Sequence, residues 1–485
     1  MKKKFYLTTP IYYATRKPHI GHAFTTLYAD VISRYKRLKD YKVFFSVGTD
    51  EHGSKIAKSA KKTNKNPQEF VDEIALLYLK TWQILDIQYD VFVRTTSEKH
   101  KKGVLKFIEQ LYQADDIYLA IYEGLYCINC ENFLTEKELV NGLCPDHLRP
   151  PQKIKEKNYF FRLKKYLPLI KEKIISNELR IIPESRRKEI LNIIETGIPD
   201  FSISREKVKW GIPFPYLQGQ TIYVWAEALM NYLTSLEFPN GEKFKEFWPP
   251  DLQIIGAEIN KFHSIFWPAL LLSNKLSLPK TIFVHGLFTI NNQKISKSLE
   301  NVIDPLNLVS RFGVDGTRYL LLSQFPAAEH GDIKESEFIL RYNADLANGL
   351  GNLLERITTM IINYRNGFLK KVNLDKKILD LGKKIEKDYF EKMENYELFF
   401  ALQKIFSFIK IFDQYLDSKK PWNLAKNKKE KELDEVLSSL LWGIEKIISW
   451  LEPFIPLKTS VAKDYFLKIK RGELKEKKLN LFPRI

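Results

Sequence analysis

Phe5-Tyr-Leu-Thr-Thr-Pro-Ile-Tyr-Tyr-Ala-Thr-Arg-Lys-Pro-His-Ile-Gly-His22 starts as an apolar run, crosses a loop with Pro10 and Pro18, and reaches a polar tetrapeptide. The run Phe5–Leu7 predicts a strand, and the periodicity beyond the loop predicts a helix from about Ala23 to Lys36. A second strand is predicted at Val43–Val47, ending at Gly48-Thr-Asp-Glu-His-Gly53. Strand, loop and helix, with polar residues where the strand ends, is how doubly wound sheets hold ligands. Residues 1–115 therefore read as α/β. Over 116–210 the character changes to short strand-like runs, a cysteine cluster and basic helical segments. The α/β pattern returns across 211–290, with apolar runs at Leu252–Ile255 and Ile282–Val284. Two α/β stretches around an insertion predict one split nucleotide-binding domain. Residues 291–340 form a connecting region, and over 341–485 helical periodicity dominates, with few Gly or Pro and lysine-rich faces.

The chain has 485 residues, too many for one ordinary core, so two to four domains are expected. Hydrophobic residues make up 44%, which places it among globular rather than disordered chains. The formal charge of +18 favours a polyanionic partner through phosphate contacts and counterion release, although a lysine-rich proteome alone produces such a charge. No apolar run is long enough for a signal peptide or a membrane span, so no membrane association is expected. The only cysteines are Cys127, Cys130 and Cys144, an odd and clustered set that suits a metal site in the reducing cytoplasm better than disulfides.

Three constellations carry chemistry. His19-Ile-Gly-His22 sits where the first helix opens. Gly21 permits close backbone approach, the helix N-terminus favours anions, and the two imidazoles can face one phosphate. Lys294-Ile-Ser-Lys-Ser298 places two lysines on a loop, where they can neutralise charge that develops on a departing pyrophosphate. Cys127-x-x-Cys130 and Cys144-x-x-His147 make a four-ligand set of thiolates and one imidazole. That set suits a single tetrahedral Zn²⁺ with no open position, hence a structural one.

His19–His22 near the start and Lys294–Ser298 after the last α/β strand resemble the two signatures of class I aminoacyl-tRNA synthetases, whose catalytic domain is Rossmann-type. Thr8-Thr-Pro-Ile-Tyr-Tyr13, Gly48–Gly53, Trp210-Gly-Ile-Pro213, Tyr223-Val-Trp225, Phe262-His263 before Phe266-Trp-Pro268, and Leu481-Phe-Pro483 resemble the methionyl-tRNA synthetase family nearly end to end. The resemblance implies a Rossmann-type catalytic domain split by a zinc-binding insertion and followed by an all-α anticodon-binding bundle. It implies ATP-dependent activation of methionine and its transfer to tRNA(Met), with Mg²⁺ arriving on ATP. His19, Gly21, His22, Lys294 and Lys297 are then the ATP-binding set. Ile11, Tyr13, Trp225, Leu229, Tyr232 and His263 would cage a polarizable thioether side chain. Asp50 would meet the substrate ammonium, and Arg205 would help to bind phosphate or steer the reacting groups. Asn352 and Arg356, one helical turn apart, and Trp422 match the family's anticodon readers, where polar forks and an aromatic platform recognise bases.

Some positions depart from the family pattern. Ile295 replaces a methionine, Glu227 and Glu258 lengthen usual aspartates, and Ala257 replaces a usual lysine. The alternatives are another class I synthetase, for which there is no room for an editing insertion, and a tRNA-binding paralogue that has lost catalysis. No dimerising tRNA-binding module follows the helical region, so a monomer is expected.

Overall fold

The computed structural model describes residues 2–127, 132–134, 136–145, 148–291, 293–294, 302–369, 372–473 and 479–485. The chain divides into two compact units. The first comprises Met1–Pro18, Lys36–Gln83 and Ile87–Leu287, and the second His19–Tyr35, Ile84–Asp86 and Phe288–Ile485.

The first unit is built on a seven-stranded sheet whose ladders are all parallel. Tyr12–Tyr13 and Val91–Arg94 both pair with Lys42–Asp50, and the order continues through Lys4–Thr8, Leu252–Gly256, Thr281–His285 and Arg180–Ile182. Leu252–Gly256 and Thr281–His285 are buried at every position, as expected of strands covered on both faces. That burial is why they read as unbroken apolar runs. Lys42–Asp50 runs three residues past the predicted end, because Thr49 and Asp50 pair with Tyr12 and Tyr13. Arg180–Ile182 lies within the stretch that reads as an insertion, yet it closes one edge of the parallel sheet beside Thr281–Phe283. Elsewhere in 116–210, besides the helices Leu167–Ile175 and Glu184–Thr196, lies an antiparallel sheet of a different kind. Ile117–Cys127 and Gln152–Phe161 make a long hairpin, flanked by Asn132–Leu134 and Phe201–Ser202. Along Ile117–Cys127 burial alternates with exposure, the pattern of a sheet with one solvated face.

In the second unit the helix Ile20–Leu38 begins three residues before the predicted Ala23. His19 Nδ1 accepts the N–H of Gly21 at 3.1 Å and so satisfies one of the donors that a helix start leaves open. The helix is tied down by side chains from far along the chain. Fully buried Arg318 donates to Asp30 Oδ2 (2.6 Å), Phe454 O (2.8 Å) and Leu85 O (3.1 Å). Tyr35 donates to Glu394 Oε1 at 2.7 Å, and Tyr28 donates to Tyr396 O. A three-stranded sheet pairs Phe288–Ile290 with Gln293–Lys294 and Gly331–Ile333. Helices follow, among them Pro305–Leu322, Asn352–Arg365, Lys376–Glu394, Leu398–Lys419, Glu430–Leu451 and Pro456–Arg471. Their apolar faces are buried together, as helices of marginal intrinsic stability require. Among the described residues no helix is long and apolar enough to cross a membrane.

Candidate functional site

Two of the proposed amino-acid-binding residues, Tyr13 and Asp50, stand at the carboxyl ends of parallel strands. Tyr13 pairs with Asp50 in register, and the N–H of Ala14 donates to Asp50 O at 2.8 Å. Asp50 is itself largely buried. Gly48 is needed just before it: a Cβ there would stand 2.2 Å from Val93 O and 2.9 Å from Ile11 Cγ2. The absence of a side chain lets Ile11 lie against the strand.

The helix Val224–Leu229 places Trp225 and Leu229 one turn apart, hence on one face. Trp225 stacks on Phe262 with centroids 4.3 Å apart and planes at 10°. Tyr13, Trp225, Leu229 and Tyr232 belong to one apolar cluster with Phe262. His263 lies on Phe262–Phe266, a wide-turned π-helical segment of the kind often found at functional sites. Its Nδ1 is 3.0 Å from Ile259 O, so that nitrogen carries the proton. Nε2 then accepts from the Tyr232 hydroxyl at 2.7 Å. Burial pushes His263 down to about 4, with the Ile259 carbonyl offsetting a little, so the ring is neutral at pH 7. Burial pushes the Tyr232 phenol up, which keeps its proton available for that bond. Tyr232 is held in turn by Tyr6, whose hydroxyl donates to Tyr232 O at 2.7 Å. Tyr13, Trp225, Leu229, Tyr232 and His263 are thus connected within the first unit, with Asp50 joined through Tyr13 and Ile11 lying against Gly48.

Arg205 is placed differently. It is buried, its Nε and Nη2 lie 3.0 and 3.2 Å from the two oxygens of Glu156, and its guanidinium sits 4.1 Å from the centroid of Tyr126. These partners belong to the hairpin of the insertion, with Tyr126 next to Cys127. The guanidinium therefore braces the base of the cysteine cluster.

The altered acidic positions also have an account. Glu227 is fully buried against His52 and His100 rather than facing solvent. Glu258 is exposed and folds back over Gly256, where a Cβ would lie 2.6 Å from its Oε2. The longer arm of glutamate accommodates both placements.

At the helix start in the second unit the rings of His19 and His22 stack, with centroids 3.7 Å apart. His22 Nδ1 accepts from His19 N at 3.3 Å, and His19 Nδ1 accepts from Gly21 N. With both Nδ1 atoms accepting, each neutral ring carries its proton on Nε2, the donor form that a phosphate oxygen needs. Lys294 lies on the strand Gln293–Lys294. Its side chain, Lys297 and the rest of 295–301 lie outside the described residues.

Cys127 and Cys144 are both buried and share a small cluster with Leu134. Two thiols enclosed together, with the chain turning tightly where Leu148 N meets Cys144 O at 2.8 Å, are a donor set and scaffold that fit a thiolate-bound metal. The other two candidate ligands, Cys130 and His147, lie outside the described residues. Among the described residues no group of three or more His, Cys, Asp or Glu is placed to hold a metal.

In the helical part of the second unit Asn352 is exposed, and Arg356 follows one turn on. Arg356 reaches Asp417 at 3.0 Å and Asp413 at 3.5 Å on Leu398–Lys419. Trp422 stands 40% exposed on Pro421–Lys426, the next element of the chain. It is therefore not a core residue.

Glu51, His52, Trp210 and Phe262 fall within the stretches that resemble the family, yet nothing local marks a role for them, nor for Arg94 and His100. Their partners lie in distant segments.

A family model described as class I tRNA synthetases (M) matches residues 5–153 and 149–358, and one for the anticodon-binding domain of tRNA ligases matches 375–468. The chain is 43% identical to a methionine–tRNA ligase of Thermotoga maritima, over 93% of this chain and 73% of that relative. A methionine–tRNA ligase of Caldanaerobacter subterraneus is 40% identical, over 100% of this chain and 79% of its own length. The solved structure of Mycobacterium tuberculosis methionyl-tRNA synthetase in complex with methionyl-adenylate superposes with a TM-score of 0.94 at 31% identity, covering 99% of this chain and 100% of that one.

Proposed function

The chain belongs to the methionine–tRNA ligase family of class I tRNA synthetases, and on that premise we propose which of its residues carry out the reaction. The protein activates methionine with ATP and charges tRNA with it. The observation that carries the residue assignment is the grouping within the first unit of Asp50, paired in register with Tyr13, and the apolar cluster that joins Tyr13 to Trp225, Leu229 and Tyr232, with His263 bonded to Tyr232.

Asp50 binds the substrate ammonium, leaving the methionine carboxylate to attack the α-phosphate of ATP. Ile11, Tyr13, Trp225, Leu229, Tyr232 and His263 enclose the thioether, and the neutral His263–Tyr232 pair keeps charge away from a side chain that carries none. The carboxylate oxygen forms a bond to phosphorus in line as the bond to pyrophosphate breaks. His19 and His22 donate from Nε2 to phosphate oxygens, and Lys294 and Lys297 neutralise the departing pyrophosphate. Mg²⁺ arrives with ATP. A terminal ribose hydroxyl of the tRNA then attacks the activated carbonyl and releases AMP. Catalysis is positioning and charge stabilisation, with no covalent enzyme intermediate. Arg205 acts from its brace on Glu156, steering the insertion. Asn352, Arg356 and Trp422 read the anticodon. The clustered cysteines support work in the reducing cytoplasm.

Cys127, Cys130, Cys144 and His147 would hold one structural Zn²⁺, which stabilises the tip of the insertion when bound. Metal analysis of protein never exposed to chelator is expected to find about one zinc per chain; finding none rejects this site. The catalytic assignment is tested by pre-steady-state adenylate formation. Lys297→Ala is expected to slow that step at least about a hundredfold, with methionine affinity nearly unchanged. An unaffected rate would make Lys294–Ser298 an ordinary basic loop.

A further inference from the structure

Three buried side chains of the first unit, each from a different element, meet at a point to which none of the roles above extends. The fully buried Glu227 carboxylate lies 3.0 and 3.1 Å from His52 Nδ1 through its two oxygens, and 3.5 Å from His100 Nε2. His100 Nδ1 is 2.8 Å from Thr234 Oγ1. The helix Glu98–Gln113, which carries His100, lies so close to Asn231–Thr234 that a Cβ on Gly103 would stand 2.5 Å from Thr234 Cγ2.

The strand end that bears Asp50 is fixed on both sides. The Glu51 carboxylate accepts from Thr49 Oγ1 at 2.6 Å and from Arg94 Nε at 2.7 Å. The indole of Trp210 donates to Glu51 O at 2.6 Å and lies 5.5 Å from the His52 ring. Burial pushes the Glu227 carboxyl up, but the neighbouring imidazoles, His52 at hydrogen-bond distance and His100 at 3.5 Å, outweigh it and bring the group down to about 2.

Such a cluster is a poor device for stability, because apolar side chains of similar volume usually serve a core as well or better. What it does supply is a fixed distance. Glu227 stands two residues from both Trp225 and Leu229, so on a helix it leaves from the face opposite theirs. His52 stands two residues from Asp50. The His52–Glu227 contact therefore spans the gap between the ammonium-binding carboxylate and the helix that walls the side-chain pocket.

We propose that Glu227, gripped by His52 and His100, is a specificity-setting positioning residue that fixes the separation of Asp50 from Trp225 and Leu229, and so sets the length of amino acid that fits. This rests on the pocket roles assigned under the proposed function.

Glu227→Gln keeps the shape of the side chain and removes its charge. In methionine-dependent ATP–pyrophosphate exchange it is expected to raise the methionine KM at least about tenfold, with kcat and the ATP KM within about twofold. Preference for methionine over its homologues one methylene shorter (S-methylcysteine) and longer (ethionine) is expected to fall at least about tenfold. A purely structural role would lower activity toward all three amino acids together and leave the preference intact, which overturns the proposal. His100→Asn, which leaves the His52 contact in place, is expected to give the same loss of preference to a smaller degree, and it decides the matter if Glu227→Gln fails to fold. Asp50→Asn separates the two layers of inference. If it leaves the methionine KM unchanged, the pocket reading itself is wrong. If it raises KM while Glu227→Gln and His100→Asn leave the preference untouched, the positioning role alone is wrong.

Discussion

Trp225 lies half-buried with its ring 4.3 Å from Phe262, whereas Trp422 stands 40% exposed on a six-residue helix. Both are assigned to ligand recognition, and their surroundings differ because the ligands do. A methionine side chain is apolar and small, and the pocket proposed for it is assembled in advance from stacked rings and neutral hydrogen bonds such as Tyr232 to His263. An anticodon base is a flat ring that must reach its platform from water, so the platform stays exposed. The charged groups follow the same division. Glu227 is locked between buried imidazoles, while Arg356 rests on Asp413 and Asp417 in a half-exposed ion pair. Such a pair is worth at most about 1 kcal/mol and is easily exchanged for contacts to a base. Burial pushes the Asp413 carboxyl up, with Arg356 partly offsetting it.

The contrast has measurable consequences. Its strongest statement concerns Trp225→Ala. Losing the stacked ring from a prebuilt pocket should cost about 3–5 kcal/mol, seen as a fall of at least about a hundredfold in kcat/KM for methionine. Both exchange and aminoacylation should fall together. A variant that loses only tRNA charging would put Trp225 in the wrong half of the comparison.

Trp422→Ala should behave in the opposite manner. Loss of one base-stacking contact, about 1–3 kcal/mol, predicts a ten- to hundredfold reduction in aminoacylation, roughly. Pyrophosphate exchange and the melting temperature should hardly move, because the ring is exposed rather than packed in a core. A large drop in melting temperature with both activities would contradict the placement.

The smallest effect is acid sensitivity on the pocket side. His263 titrates at about 4 in the folded chain against about 6.5 when unfolded, so between these values the unfolded state binds more protons. The stability it contributes is therefore complete above about pH 6.5 and is lost as pH falls toward 4, reaching about 1 kcal/mol by pH 5.5. Chemical denaturation at pH 7.5 and 5.5 should show a larger loss in the wild type than in His263→Gln, which keeps the buried His285, itself pushed down by burial. Glu227 does not blur the result. Its folded value near 2 lies below the ordinary carboxylate range, so its own contribution is lost only below about pH 4.5. Equal pH dependence in the two proteins would mean that His263 is not the buried neutral group described.

Some of this was visible in the chain itself and some was not. Leu252–Gly256 and Thr281–His285 are buried on both faces, so their composition alone marks them as sheet-core strands. Arg180–Ile182 has only three residues, and nothing in them signals a partner about a hundred positions away, so its place in the parallel sheet went unread. The same holds at the site. Ile11, Tyr13, Asp50, Trp225 and His263 can be proposed from the chain alone because they sit inside contiguous stretches that resemble a known family. His52 was legible as part of such a stretch, but its role was not, because its partner Glu227 lies 175 residues on. For Arg205 the resemblance implies phosphate binding or steering of the reacting groups, and nothing local signals its pairing with Glu156.

What the sequence by itself determined is therefore local: strands and helices from periodicity and, through stretches that resemble a known family, the reaction class; the anion site proposed at His19–His22 and the metal-ligand set proposed around Cys127 and Cys144 are readings of the same local kind. Such features depend on residues close together in the chain, where spacing translates directly into geometry. Only the tertiary structure decided which charges are buried against which partners. It set Glu227 between His52 and His100, Arg318 on Asp30, and Trp422 out in solvent. Burial and long-range pairing depend on where distant segments pack. The cost of desolvating a charge, and the contact that offsets it, exist only once those segments have come together.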